Sequence, residues 1–131
     1  MLRVAAADPA SPEALGLIAQ LDAALLAITG DSGASSFDPR DVMGEGAAFV
    51  IAYDEHGAAL GCGALRPLER EIGELKRMYA RPGSGAGAVI LAELERNAAA
   101  FGYRRLWLST RRVNARAVSF YKRHGYAPVP P

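Results

Sequence analysis

The chain has 131 residues, half of them apolar and about a fifth charged, with one cysteine and a net charge of +1. That length suits one domain with one core, and the composition excludes disordered, repetitive and low-complexity classes. A lone cysteine closes no internal disulfide, no Cys/His spacing suggests a metal site, and no apolar run approaches the roughly 18 to 20 residues that span a bilayer.

The amino terminus, MLRVAAADPASPE, lacks the apolar core of a signal peptide, so a cytoplasmic protein without a membrane partner is expected. LRVAAA reads as a short strand. Ser11 before Pro12 starts a helix, and Leu15, Ile18, Leu21, Leu25 and Ile28 recur at helical spacing until Gly30. DSGASSFDPRD is a polar loop, with Asp38 and Pro39 opening a second short helix that ends near Gly44. AAFVIAYD, EHG and ALGCGALR predict a β-hairpin with His56 in its solvated turn and Cys62 as a small core thiol. IGELKRMYAR adds a third antiparallel strand.

From Gly85 the period turns helical, with Leu91, Leu94, Ala98 and Phe101 on one face, Glu93, Arg96 and Asn97 on the other, and Gly102 at the end. RRLWLST is a strand, and NARAVSFYKRH is a helix ended by Gly125 before the tail YAPVPP. The order β-α-(α)-β-β-β-α-β-α sets a βαβ-like unit on an antiparallel meander. It predicts a single α/β (α+β) domain over residues 1-131, with a mixed, mostly antiparallel sheet flanked by helices.

Charge is divided unevenly. Residues 1 to 65 carry two Arg against nine acidic residues, whereas residues 66 to 131 carry thirteen Lys and Arg against five Glu. The basic residues form no stripe interleaved with aromatics, so nucleic acid is not the expected partner. A phosphorylated small ligand suits the basic half better, with solvated faces of separate elements as the plain alternative.

That half contains RMYARPGSGAGAVILAELE, residues 77 to 95: a strand, a glycine cluster and a helix. A Walker loop needs GK[ST], which is absent. The dinucleotide pattern GxGxxA fits Gly83, Gly85 and Ala88, but RRLWLST ends without the acidic residue that would hold a ribose, and too little chain follows for a second βαβ half. Unpaired N–H groups and the positive end of a helix dipole still make an anion site, and glycines let an anion approach.

ELKRMYARP, then GxG opening a helix that ends in FGYRRLWL, then STRRVNARAVSFYKRHGY, together resemble the GNAT superfamily of N-acetyltransferases, from about Val50 onward. The resemblance implies acetyl coenzyme A as cosubstrate, no metal, and a small amine or amino acid derivative as acceptor, with a homodimer as a further option. It implies that Gly83, Ser84, Gly85, Ala86, Gly87 and Ala88 hold the pyrophosphate, and that strand amides of Met78, Tyr79 and Ala80 orient the acetyl group. Asn114 would contact the pantetheine arm and Tyr121 would be the general acid.

Seven residues apart on a helix, Asn114 and Tyr121 project from nearly one face, and a phenol of reference pKa about 10 can protonate a departing thiolate at neutral pH. The plain alternatives are a helix cap for Asn114 and sheet packing for Tyr121. The amine would attack the thioester directly, through a tetrahedral intermediate, with no covalent enzyme intermediate. Glu74 shares a strand face with Met78 by the two-residue period, which makes it the best candidate base, against a plain ion pair. By resemblance the acceptor site includes TGDSGASSFDPRD, whose acidic half favours a cationic amine.

Two features depart from the family pattern. RP runs straight into GSGAG, about three positions short of the usual RP-x-x-(R/Q)GxGxG, and the sequence stops at PVPP where a last strand commonly follows. Either the loop is short or residues are left out of it, in which case the Gly83 and Ser84 Cα atoms would lie much further apart than the roughly 3.8 Å of a bonded pair. A short loop favours the alternative reading, a binding or regulatory module that has kept the fold but lost turnover.

Overall fold

The computed structural model describes residues 1–32 and 38–129, so the acceptor-loop expectation for residues 33–37 lies outside the described residues. The elements are β1 (Arg3–Ala6), α1 (Pro12–Thr29), a 3₁₀ turn (Pro39–Val42), β2 (Ala48–Tyr53), β3 (Ala59–Glu69), β4 (Ile72–Ala80), α2 (Ala86–Phe101), β5 (Arg105–Trp107) and α3 (Ala115–Arg123). They match the predicted order. The strands form one sheet, β1-β2-β3-β4-β5, antiparallel except for the β4–β5 pair.

Helices cover both faces. α1 closes one core with Ala14, Leu17, Ile18 and Leu21 over Phe49, Ile51, Cys62 and Ala64. α2 closes the other with Ala86, Ile90, Leu91, Leu94 and Ala98 over Val50, Leu65 and Leu75. Ser11 caps α1 by accepting the Ala14 N–H at 3.2 Å, a contact worth about 1 kcal/mol, and Gly30 ends it in the left-handed region.

The inner face of α1 differs from the predicted stripe: Leu15 is 49% exposed and Ile28 45%. The helix is apolar nearly all round, so spacing alone does not select a face. By length and composition it could also cross a bilayer, against expectation, with 18 residues of mean hydropathy 1.3. Four of its residues instead seal the sheet, while Leu15, Ala19, Ala23 and Leu26 lie exposed. Phe101, expected inside, is exposed as well, its ring edge-on to Tyr103 at 6.1 Å.

A break in strand register shapes β4. Ala64 pairs with Lys76 and Cys62 with Tyr79, so Arg77 and Met78 together oppose Gly63. Arg77 takes φ +52°, a left-handed conformation that costs a non-glycine residue about 1–2 kcal/mol. Beyond this bulge the faces exchange. Leu75 and Met78 both pack on the α2 side, whereas Tyr79 faces α1. Gly63 makes room for the bulge, since a Cβ there would lie 2.6 Å from the Met78 sulfur and from Ile90.

Candidate active site

β5 pairs with β4 only from Ile72↔Arg105 to Glu74↔Trp107, and the predicted continuation Leu108–Thr110 leaves the sheet. A groove of about 400 Å³ lies where the strands part. Five successive residues of β4, Glu74 to Met78, line it. Side chains alternate along a strand, so what these five share is the backbone edge on the side where β5 pairing has ended. The opposite wall is Leu108–Arg111 with Asn114, Ala117 and Tyr121 of α3, and Leu21, Leu25 and Thr29 of α1 reach in from the other side of the sheet. The groove therefore passes between the two helical layers.

Of the predicted catalytic, acetyl-orienting and pantetheine-contacting residues, Tyr121, Glu74, Met78 and Asn114 line this groove. Tyr121 stacks edge-on with Phe120 and Tyr126, and burial raises its pKa above the ordinary tyrosine value. It lines the groove. Asn114 is a helix cap, its Oδ1 accepting the Ala117 N–H at 3.2 Å, while it also lines the groove.

Glu74 does not share a face with Met78. It points to the α1 side and accepts from Arg66 Nε at 2.6 Å, and Arg66 also lies 3.6 Å from Asp41. The two-residue period fails here because the Arg77 bulge adds one residue between them. The ion-pair alternative is thus what the resting groove contains. Tyr79 lies further from the groove, its hydroxyl donating to Gln20 at 3.1 Å, and Ala80 packs in the α2 core.

The glycine cluster divides its labour. Ser84 N–H donates to the Arg81 carbonyl at 3.1 Å, closing a turn with Pro82 second and Gly83 third at φ +77°. Gly85 follows at φ +73° as the N-cap of α2 with no side-chain cap, and Ser84 Oγ accepts the Ala86 N–H at 3.2 Å. This leaves a helix amino terminus open to an anion. Ala86 contributes its side chain to the core, being fully buried, and Gly87 makes space for Phe120 of α3.

The acidic surplus of the first half is not expressed in the groove, whose lining holds Asp31 and Glu74 against Lys76, Arg77 and Arg111. Arg111 donates to Asp31 at 3.1 Å, linking the end of α1 to the loop before α3. Arg77 forms an ion pair with Asp22 of α1. Sequence reasoning missed both pairs, since nothing in the spacing joins partners 80 and 55 residues apart.

Residues 21–126 match the acetyltransferase (GNAT) family model, and the chain belongs to that family. It is 35% identical over 86 residues to an uncharacterized N-acetyltransferase of Schizosaccharomyces pombe, covering 63% of this chain and 53% of that one. It is 32% identical over 83 residues to an IAA acetyltransferase of Azospirillum brasilense, covering 60% and 54%. The chain spans about half the length of these curated relatives. Among solved structures, a candidate acyl-CoA N-acyltransferase from Klebsiella pneumoniae superposes with a TM-score of 0.78 at 29% identity, covering 100% of this chain and 90% of that one. A GNAT acetyltransferase from Elizabethkingia anophelis, solved with acetyl-CoA bound, shares the fold with a TM-score of 0.72 at 16% identity, covering 98% and 78%.

Proposed function

We propose that the protein transfers the acetyl group of acetyl-CoA to the amine of a small molecule or amino acid derivative. The observation that carries this reading is the stretch of β4 past Glu74 that no longer pairs with β5 and lines one groove with Tyr121. An extended amide-containing arm can pair with a strand edge as another strand would. The open amino terminus of α2, with the turn at Gly83 and Ser84, suits the pyrophosphate of the same ligand. Acetyl-CoA supplies a thioester, which an amine can attack directly.

The chain's own residues then orient and move protons. Backbone groups at Met78 would hold the acetyl oxygen. Tyr121, kept protonated by burial, gives its hydroxyl proton to the departing sulfur. Glu74 takes the proton from the amine, directly or through water, once the acceptor competes with Arg66 for it.

Thiol release from acetyl-CoA, measured against a panel of amines and amino acid derivatives, tests this reading and names the acceptor. The short turn at Arg81–Ser84 favours a second reading, a coenzyme-binding module without turnover. Tight acetyl-CoA binding with no thiol release from any amine would support that one instead.

A further inference from the structure

Arg77 joins features that rarely coincide. It is a non-glycine residue at φ +52° at the bulge of the strand that lines the groove. Its side chain is 5% exposed, pairs with Asp22 in the middle of α1 and donates to the Ser32 carbonyl just past the end of that helix. On the other side, the Cys62 thiol donates to the Arg77 carbonyl at 3.4 Å. A left-handed arginine persists where its surroundings over-determine it, and here α1 and the loop after it hold the side chain while β3 holds the backbone.

The bulge also separates the two halves of the proposed site. Before it stands Glu74, and Met78 is its second residue. The segment that Arg77 grips on the far side, from Asp22 to Ser32, contains the groove residues Leu25, Thr29 and Asp31. We propose that Arg77 is a positioning residue for acetyl transfer, its pairing with Asp22 and Ser32 latching the β4 bulge to α1 and so fixing the donor-side strand and the acceptor-side helix relative to one another. This rests on the acetyl-transfer reading above. Arg77 acts through the backbone at Met78 and the placement of α1, rather than by touching the reacting atoms.

Two substitutions separate the latch from the bulge. Arg77→Gly accepts the positive φ without strain but removes the tether, and Asp22→Asn keeps Arg77 and removes the charge that holds it. For both, we expect kcat to fall at least about tenfold and the acceptor KM to rise. Amide exchange across Lys76–Tyr79 should rise in both. A lower melting temperature with unchanged kcat, KM and exchange would overturn the proposal and leave Arg77 a purely structural residue. Should Arg77→Gly fail to fold, Asp22→Asn decides by the same readings. If the wild-type protein releases no thiol with any amine, the functional reading fails separately. Exchange across Lys76–Tyr79 then decides the latch alone, unchanged exchange overturning it.

Discussion

Gly87 and Phe120 meet face to ring where α2 and α3 touch, and a methyl group at position 87 would lie 3.2 Å from the ring edge. The approach of the two helices therefore depends on the missing side chain. In Gly87→Ala, the gain of about 1 kcal/mol in helix propensity should roughly offset the tight contact. Gly87→Val should overfill the site and cost about 1–3 kcal/mol, read as a lower melting temperature. Because this glycine serves packing, acetyl-CoA affinity in Gly87→Ala should stay within about threefold of wild type.

Tyr121→Phe should lower kcat by roughly 10²–10⁴ while leaving acetyl-CoA affinity unchanged by calorimetry. Burial raises the Tyr121 pKa, so the hydroxyl stays protonated to higher pH than an exposed tyrosine. Loss of activity from its ionisation should therefore be absent up to about pH 10. Unchanged turnover in the variant would remove Tyr121 from the mechanism.

Glu74→Gln keeps an oxygen for Arg66 and loses the ability to take a proton. If Glu74 is the base, kcat/KM for the acceptor should drop at least about a hundredfold with little change in melting temperature. A structural ion pair would instead leave turnover near wild type.

Gly85 holds φ +73° at the start of α2. Gly85→Ala should strain that turn by about 1 kcal/mol and weaken coenzyme A binding by roughly tenfold, as its first-turn N–H groups shift. The measurement is a calorimetric titration with coenzyme A.

Cys62 is fully buried, and burial pushes its thiol pKa up to about 12. A raised folded-state value means this contribution is intact below the unfolded thiol pKa of about 8.5 and is lost as pH rises toward 12. Between about pH 9 and 11, wild type should lose about 1.4 kcal/mol per pH unit more than Cys62→Ala. Urea unfolding at several pH values measures the difference in slope.

Much of this fold was legible because its boundaries are written locally. Ser11 with Pro12, Gly30, the Asp54–Gly57 turn and Gly102 each act within a few residues, and each stands where expected. The wall formed by Asn114 and Tyr121 was legible for the same reason, since one helix fixes both. What escaped depends on partners distant in the chain. The outward Leu15 is decided by where α1 docks, and the Arg66–Glu74 pair by hairpin register. One trace of the bulge was present in the sequence: Leu75 and Met78 are both core-facing yet three apart, a spacing that no regular strand allows.

The extra residue at the bulge works as a change of phase. Everything from Met78 to the end of β4 is half a period out of step with Ile72–Lys76, and the chain enters the Arg81–Ser84 turn in that shifted phase. Straightened with every residue kept, the strand would send Met78 toward α1 and Tyr79 toward α2, whereas removing one residue between Leu75 and Met78 would erase the bulge and leave both on their present faces. An added residue in this segment should therefore disturb the faces of Met78 and Tyr79 more than a one-residue deletion, which only removes the phase change.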